Sequence, residues 1–347
     1  MKTIKLFIVL ISSLAFFACS NNDEPIVPPP PPEEFELGTL QKILDGYNVR
    51  AIAFDSKGDA WIGTDQGLIR YNENEMVVYK SENSALPKNL LIFDIAVDKN
   101  DNVWIGAGGV WKYDGTEFTL YNSQNTAMPE DIVWSIAVDS KNNIWMASCR
   151  FLQGGLIKYD GTEWTTYTPE NSSLPTNSIK GIVIDKSDNV WLALSDYVYD
   201  AYLVKISNDE WTVYDENDLG FEPCYFYFGS IQFDSRNRLW GAIDYSLTNP
   251  RQSPPPNFFI FDANNTTLLS CGNNVHTIFP GITIDSNDYA WCFGVASNCG
   301  VWIDEQWTQF DVSKVGGFVW VIKEDAKGRI WFGGNGVYIL TKSEFSI

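Results

Sequence analysis

The sequence predicts an all-β fold, a seven-bladed β-propeller with four antiparallel strands in each blade. Two observations support this prediction. One phrase recurs seven times: an Ile stands three residues before an Asp, and a Trp follows six residues after that Asp. The phrase returns after about 40 to 50 residues of strand-like sequence, which is the period of one propeller blade. Because the copies fill nearly all of the 347 residues, we expect one propeller domain over residues 34–347.

The conserved spacing within the phrase assigns a role to its Asp and its Trp. An Asp at a chain reversal can bond the backbone that follows it, so we interpret the seven Asp residues as turn caps rather than a ring of metal ligands. We expect the seven Trp residues to pack between blades rather than to form a ligand box. The residue two positions after the Trp is Gly or Ala in six copies, and only Phe293 departs from this pattern. The Asp residues are Asp55, Asp98, Asp139, Asp185, Asp234, Asp285 and Asp325. The Trp residues are Trp61, Trp104, Trp145, Trp191, Trp240, Trp291 and Trp331.

The third repeat shows how one blade is built. Its predicted strands are separated by polar turns and by an Asp-Gly pair, and they span residues 135–138, 144–148, 155–159 and 164–167. The last repeat lacks an outer strand. We expect residues near 34–38 to supply it, because Phe35 precedes Asp55 by 20 residues and the outer Trp164 precedes Asp185 by 21. A strand from the N-terminus would close the ring and leave no free sheet edge.

The repeat resembles the two-component-regulator propeller repeat, whose core reads roughly D-x-x-G-N-x-W-I-G-T-x-x-G-L. Here the motif reads DSKGDAWIGTDQGL from Asp55 and DKNDNVWIGAGGV from Asp98. The resemblance covers about residues 34–341. The best-known members form the periplasmic sensors of hybrid histidine kinases that detect glycans. Those sensors also contain a second propeller, a β-sandwich, a membrane helix and a kinase, which we expect this stand-alone, Bacteroidetes-type chain to lack. The resemblance therefore implies ligand recognition but not signalling.

The N-terminal residues predict export and a lipid anchor. Lys2 and Lys5 precede an apolar run over residues 6–17, and a small residue then precedes Cys19. This pattern resembles a bacterial lipoprotein signal, with residues 1–18 removed and Cys19 lipidated. An ordinary signal peptide with an incidental Cys is the alternative. The run is too short for a stable membrane span, so we expect membrane attachment through the lipid only.

The segment after Cys19 predicts a tether. Residues 19–33 contain five consecutive prolines, which form an extended, semi-rigid rod. Asp23 and Glu24 resemble the surface-export signals of Bacteroidetes lipoproteins. We therefore expect an outer-membrane lipoprotein exposed at the cell surface, with an orientation toward the periplasm as the alternative.

Composition excludes several classes of function. The formal charge of −20 disfavours a nucleic-acid partner, since phosphates require a basic face. The chain has a single His, and its Cys spacing fits no zinc motif, so we expect neither a metal nor a cofactor. We expect a monomer. Of the five remaining cysteines, Cys271 and Cys299 are the best disulfide candidates, Cys149 and Cys224 are a weaker pair, and Cys292 is expected to be buried and free.

A first candidate ligand site lies in the long loops of repeats three to five. Loops from the second to the third strand share a face with the links between blades, and they are much longer here than in the first two repeats. Exposed aromatic and charged side chains suit a sugar or a protein contact, although the same residues could simply hold long loops in place. The candidate residues are Arg150, Tyr197, Tyr199, Tyr202, Tyr225, Tyr227, Tyr245 and Arg251.

A second candidate site lies at the opening of the central channel. The residue five positions before each repeat Asp varies, whereas the residue two positions after it is Ile in every repeat. This position begins the innermost strand, so its side chains should surround the channel. They could hold an anionic or sugar-like ligand, or they could only plug the channel. The candidate residues are Arg50, Phe93, Trp134, Lys180 and Trp320.

These observations predict a non-catalytic recognition protein that binds a glycan or a protein partner through the loop face. The alternative is a propeller lyase or a glycoside-processing enzyme working in the same cleft. Streptogramin lyases are distant look-alikes with a catalytic His, and His276 is the only His of this chain. No pair of carboxylates is marked as a catalytic acid and base, so no catalytic residue is assigned.

Overall fold

The computed structural model describes residues 40–150, 153–195, 201–220, 227–244, 258–262, 265–269, 281–293, 299–303, 305–310 and 312–341. The predicted signal peptide, Cys19 and the proline-rich tether lie outside these ranges. Within them, no helix has the length and apolar content needed to cross a membrane.

Apart from one short 3₁₀ helix, all regular secondary structure of the described residues is β-strand. The strands of the first, second and third repeats are β1 (Leu40–Phe54), β2 (Ala60–Thr64), β3 (Gly67–Tyr71), β4 (Met76–Tyr79), β5 (Asp94–Val97), β6 (Val103–Gly106), β7 (Val110–Tyr113), β8 (Phe118–Tyr121), β9 (Val133–Val138), β10 (Ile144–Arg150), β11 (Gln153–Tyr159) and β12 (Trp164–Tyr167). The fourth and fifth repeats contain β13 (Ile179–Ile184), β14 (Val190–Ser195), β15 (Ala201–Ser207), β16 (Glu210–Tyr214), β17 (Tyr227–Phe233), β18 (Leu239–Asp244), β19 (Phe258–Asp262) and β20 (Asn265–Leu269). The last two contain β21 (Gly281–Ile284), β22 (Ala290–Phe293), β23 (Cys299–Ile303), β24 (Gln306–Phe310), a 3₁₀ helix (Val312–Val315), β25 (Val319–Glu324) and β26 (Ile330–Leu340).

The seven repeats form six hydrogen-bonded sheets. Counted by its sheets, the propeller has six blades, and the prediction of seven separate blades is wrong. Five sheets have the predicted four strands, whereas the first and last repeats share one sheet in the order β25, β26, β1, β2, β3 and β4. The reason is that β1 pairs with β26 through its first residues and with β2 through its last. Sequence spacing counts repeats, but it does not show that one strand serves two of them.

A strand near the N-terminus closes the ring, as expected, but the residues differ from the prediction. Leu40 pairs with Leu340, and Leu44 pairs with Val337. Residues 34–38, which were expected in this role, lie outside the described ranges. The pairing of β1 with β26 ends at Asn48 and its pairing with β2 begins at Val49, whereas residues 168–178 separate β12 from β13. The link at the closure is shorter than a regular link, so a spacing taken from regular repeats placed the strand too early.

The first strands of successive repeats surround the propeller axis. In chain order, β1, β5, β9, β13, β17, β21 and β25 each contact the next, and β25 contacts β1. The side chains at one end of these strands therefore lie around the mouth of the central channel.

The repeat Asp has the same geometry in all seven copies. One carboxylate oxygen accepts the backbone N–H groups two and four residues later. The other accepts the indole N–H of the repeat Trp at 2.8–3.1 Å. The turn-cap prediction is confirmed. The bond to the indole explains why the Trp always follows six residues after the Asp.

The repeat Trp residues form the core between sheets, as predicted. All seven are buried. In four repeats the indole also stacks on a Tyr of the outer strand, with ring centroids 6.0–6.3 Å apart. The small residue two positions after the Trp has a steric reason. A Cβ on Gly63 would lie 2.5 Å from Cγ2 of Ile92 in the neighbouring repeat, which is too close for any side chain.

Neighbouring repeats are also joined through their first turns. The backbone N–H and the hydroxyl of Ser56 donate to Asp101, and Ser140 and Ser235 make the same two bonds to Asp188 and Asp288. The intervening repeats use a Lys and an Asn instead: the backbone N–H groups of Lys99 and Lys186 donate to the Asn142 and Asn237 side chains. We call these five bonded contacts the turn girdle.

The cysteine predictions are tested only in part. Cys292 is buried in β22, as predicted, and Cys299 is buried in β23. Cys271 and Cys224 lie outside the described residues, so both proposed disulfides remain predictions.

Candidate ligand site at the channel mouth

The residue five positions before each repeat Asp lies at the start of an innermost strand, and we call it the mouth position. The ladder between the first and second strands shifts register here, leaving Arg50, Trp134, Lys180 and Trp320 without a paired residue in four repeats. An extra residue of this kind is a β-bulge, which re-aims a side chain. The preceding residue is buried in each of these repeats: Val49, Val133, Ile179 and Val319. The bulge therefore lets one residue pack in the core and the next face the channel mouth.

Two mouth residues form an aromatic pair between the second and third repeats. The ring centroids of Phe93 and Trp134 lie 4.4 Å apart with the planes tilted by 49°. The Trp134 indole N–H donates to the backbone oxygen of Cys149 at 2.9 Å. Trp134 nevertheless remains 46% exposed. A ring fixed by a hydrogen bond and a neighbouring ring, yet open to solvent, is well suited to stack against a ligand.

Two other mouth residues meet between the last and first repeats. The Arg50 guanidinium lies 5.1 Å from the centroid of the Trp320 ring, in a cation–π contact. Trp320 is 37% exposed, whereas the Arg50 Nε is buried and has no hydrogen-bond partner among the described residues. Lys180 lies at the mouth position of the fourth repeat and is half-buried. The structure therefore places all five sequence-predicted residues at one end of the channel.

Two further exposed side chains extend this surface. Leu91 is 40% and Phe318 is 42% exposed, and each stands two residues before a mouth position. Sequence reasoning missed both, since each lies in the link just before an innermost strand rather than in the strand itself. We call Leu91, Phe93, Trp134, Phe318 and Trp320 the aromatic arc, which spans the last repeat and the first three.

The aromatic arc is unusual for the surface of a soluble domain. Among the described residues, five large hydrophobic side chains are exposed, and only Met76 lies outside the arc. Clustered exposed apolar residues mark interaction sites more often than scattered ones do. The short connections between the second and third strands explain the exposure: residues 65–66 and 107–109 are tight turns, and β26 runs through without a break. No long loop of these repeats covers the arc.

A carboxylate lies just beyond the aromatic pair. Asp94 follows Phe93 and accepts the backbone N–H groups of Ile95 and Ile136 at 2.9 and 2.8 Å. It thereby joins the innermost strands of the second and third repeats. The protein surrounds this carboxylate although the side chain is not fully shielded from the channel. Burial raises the pKa of Asp94 to about 6, against the opposing effects of Lys323 and the two backbone bonds.

The loop cluster of repeats three to five is described only in part. Tyr202 lies on β15, where its ring packs against the core between the third and fourth sheets. Arg150 ends β10 and Tyr227 begins β17. The other candidates of this cluster lie outside the described residues: Tyr197, Tyr199, Tyr225, Tyr245 and Arg251.

Metal and acid–base chemistry find little support in the described part of the chain. No group of three or more His, Cys, Asp or Glu residues there is arranged to hold a metal ion. His276 lies outside the described ranges.

Comparisons with known proteins agree with the repeat pattern. Residues 43–66 and 313–336 match the family described as Two component regulator propeller. Both matched segments belong to the shared six-stranded sheet. No curated protein matches the sequence.

Solved structures with the same fold come from several functional classes. The extracellular domain of the putative hybrid two component system BT3049 from B. thetaiotaomicron has a TM-score of 0.66 and 18% identity, over 88% of this chain and 41% of that one. A catalytically inactive virginiamycin B lyase from Staphylococcus aureus with quinupristin has a TM-score of 0.67 and 14% identity, over 88% and 99%. YCF48 bound to D1 peptide has a TM-score of 0.65 and 12% identity, over 90% and 98%.

These likenesses, at 12–18% identity, show the propeller fold alone. The chain spans about two fifths of the length of the extracellular domains from B. thetaiotaomicron, 39% and 41% in two of them.

Proposed function

We propose that this chain is a non-catalytic recognition protein of the cell envelope that binds a glycan at the channel mouth. The aromatic arc carries this proposal, because it gathers four exposed apolar side chains at the end of the channel and holds Trp134 against Phe93. Flat rings stack on the apolar face of a pyranose, and a few polar groups beside them orient the sugar. Arg50 and Lys180 supply such groups at the same mouth.

Recognition fits the site better than catalysis does. The related folds include a lyase and YCF48 bound to D1 peptide, so the fold permits either class. A catalyst needs an acid and a base placed around a reacting atom. Asp94, the carboxylate that directly follows Phe93, uses its oxygens to bond two backbone N–H groups.

The proposal places the protein at the outer membrane, lipidated at Cys19 and exposed at the cell surface. The support is the N-terminal sequence: a short apolar run, a Cys and an extended tether. Changing Cys19→Ala should release the protein from the membrane fraction, and a variant that stays in membranes would refute the anchor. Protease treatment of intact cells distinguishes the cell surface from the periplasmic face.

A glycan array with the full chain tests the proposed function. We expect binding that Trp134→Ala and Trp320→Ala weaken, because each removes a stacking ring. Met76→Ala is the matched control, since Met76 is an equally exposed apolar residue on the outer strand β4.

Other outcomes of this experiment are informative. Binding that survives both Trp changes but is lost when Tyr197, Tyr199, Tyr225 and Tyr245 are all changed to Ala would move the site to the long loops. Consumption of a bound glycan would make the protein a lyase or hydrolase. Capture of a protein, with no glycan bound, would replace the glycan by a protein partner.

A further inference from the structure

The guanidinium of Arg50 lacks the acidic partner that three of the other described arginines have. The chain carries 44 Asp and Glu against 24 Lys and Arg. Arg70, Arg238 and Arg329 each have a carboxylate oxygen within 4.0 Å. Among the described residues, no carboxylate lies that close to Arg50. Arg50 is therefore a half-buried guanidinium without a described carboxylate partner in an acidic chain.

Polar atoms around Arg50 are left without partners. Its Nε is buried and makes no hydrogen bond to any described residue, and the same holds for Oδ1 of Asn48, two residues earlier on β1. A buried donor or acceptor without a partner costs about 1–3 kcal/mol. Nε and the Asn48 oxygen are shielded from solvent, so a ligand would bond the Nη groups of the Arg50 guanidinium, which are not among these buried atoms.

Trp320 restrains the guanidinium without using its donors. The contact between the Arg50 guanidinium and the Trp320 ring is a cation–π contact of 5.1 Å, which leaves the N–H groups in the guanidinium plane available. A planar, oriented guanidinium binds a carboxylate through two parallel hydrogen bonds. The Phe93 and Trp134 pair of the neighbouring repeats lies at the same mouth and offers a ring surface for a sugar.

Building on the proposed function, we propose that the ligand is an acidic glycan of the uronate class and that Arg50 binds its carboxylate. The ligand carboxylate supplies the acidic partner that Arg50 lacks among the described residues. The sugar ring bearing that acid stacks on the aromatic arc. Neutral glycans of the same shape bind less tightly, because they leave the Arg50 donors unpaired.

The test measures binding of the full chain to oligogalacturonates and oligoglucuronates, each compared with its neutral, carboxyl-reduced counterpart. We expect the acidic form to bind at least about tenfold more tightly than the reduced form, as is typical for hydrogen bonds to a charged group. Arg50→Gln should abolish this preference, and Arg50→Lys should retain part of it because the charge remains while the paired donors are lost. Arg236→Gln is the matched control: Arg236 is exposed in the turn after Asp234, and no described carboxylate lies within 4.0 Å of it.

The outcomes separate this inference from the proposed function. Equal binding of acidic and reduced forms, lost in Trp134→Ala, would overturn the uronate inference and keep the glycan function. A preference for the acidic form that persists in Arg50→Gln, with an unchanged unfolding midpoint, would also overturn it. Binding to no glycan, with Arg50-dependent binding to an acidic peptide, would overturn both.

Discussion

At the scale of single residues, the repeat Asp explains the invariance of the phrase. Its carboxylate satisfies two backbone N–H groups of the turn and one indole N–H, so it holds both the chain reversal and the core Trp. In Asp98, burial favours the neutral form, but the bonds from Trp104, Asn102 and the backbone outweigh it and lower the pKa. The spacing therefore records a hydrogen-bond geometry, and any insertion between the Asp and the Trp would break it.

Two Trp residues of the second repeat allow this bond to be measured. Trp104 donates its indole N–H to Asp98 at 3.0 Å, whereas the indole N–H of Trp111, also buried, has no acceptor among the described residues. We predict that Trp104→Phe lowers the free energy of unfolding by about 1–3 kcal/mol more than Trp111→Phe, because only the first removes a hydrogen bond to a buried carboxylate. The Asp98 oxygen that accepts this bond would keep only the Asn102 side-chain amide as a partner. Denaturant unfolding gives both values. Equal losses, or an unchanged pKa of Asp98 in Trp104→Phe, would contradict the assignment.

Asp94 predicts a pH dependence of stability. Its pKa in the folded protein is about 6, above the ordinary value of 3.8. The folded state binds the proton more tightly than the unfolded chain does, so this contribution to stability is full below pH 3.8 and is lost as pH rises through 6. We predict that Asp94→Asn flattens the fall in unfolding free energy over this range, measured by denaturant titration at several pH values. Asp45→Asn, at an exposed carboxylate, is the control and should leave this fall intact.

At the scale of elements, the turn girdle joins the first turns of neighbouring repeats by hydrogen bonds. Ser faces Asp, and Lys faces Asn, in alternation over the first five repeats, whereas Ser286 of the sixth donates to Glu324 of the last. The hydrogen bonds from Ser140 lower the pKa of Asp188, chiefly through the hydroxyl. Because consecutive repeats have similar strands, pairing of their turns helps each repeat to select its correct neighbour.

A double-mutant cycle tests whether the girdle stabilises the fold. We predict that Ser140→Ala and Asp188→Ala are not additive, with a coupling of about 0.5–1.5 kcal/mol, because the hydroxyl of one donates to the carboxylate of the other. Ser140→Ala with Asp114→Ala is the control cycle, since Asp114 caps a turn within its own sheet. A coupling in the control cycle, or none in the first, would show that the contact does not join the repeats energetically.

The mouth position shows which features of the site could be predicted from the sequence and which could not. Its variability beside an invariant Ile predicted residues around the channel, and the structure does place Arg50 and Trp320 there. The contact between them depends on a register shift in each ladder, which no spacing in the sequence records. Leu91 and Phe318 were missed because both lie in the links between repeats, before β5 and β25 begin.

At the scale of the whole molecule, the repeat spacing predicted the strands and the core but not the number of sheets. Six of the repeat links are long, and only the link through β1 is short enough to make two repeats share a sheet. Closure therefore depends on the five residues that pair with the last strand: Leu40, Gln41, Lys42, Leu44 and Asn48. This segment precedes the first Ile-Asp-Trp phrase, so the repeat pattern carried little information about it.

Ring closure can be tested with two matched glycines. Gly336 and Gly109 have nearly the same φ, 103° and 105°. Gly109 directly precedes β7, and Gly336 lies in the part of β26 that pairs with β1. A Cβ on Gly336 would lie 2.4 Å from the Leu44 oxygen, and one on Gly109 would lie 2.6 Å from the Tyr121 oxygen. Changing either to Ala introduces the same local strain, of about 1–3 kcal/mol. Only Gly336→Ala presses on the strand that closes the ring.

We predict that Gly336→Ala lowers the unfolding temperature more than Gly109→Ala does. Leu44 belongs to the segment that joins the ends of the chain, whereas Tyr121 belongs to a strand whose sheet is continuous in sequence. Hydrogen exchange should show lost protection in β1, β25 and β26 for Gly336→Ala, and only around β7 and β8 for Gly109→Ala. If both variants lost the same stability and exchanged only near the substitution, closure by Leu40–Leu44 would contribute no more than any other outer strand. A larger and more distant effect for Gly336→Ala is expected because opening the closure frees the edges of two repeats at once.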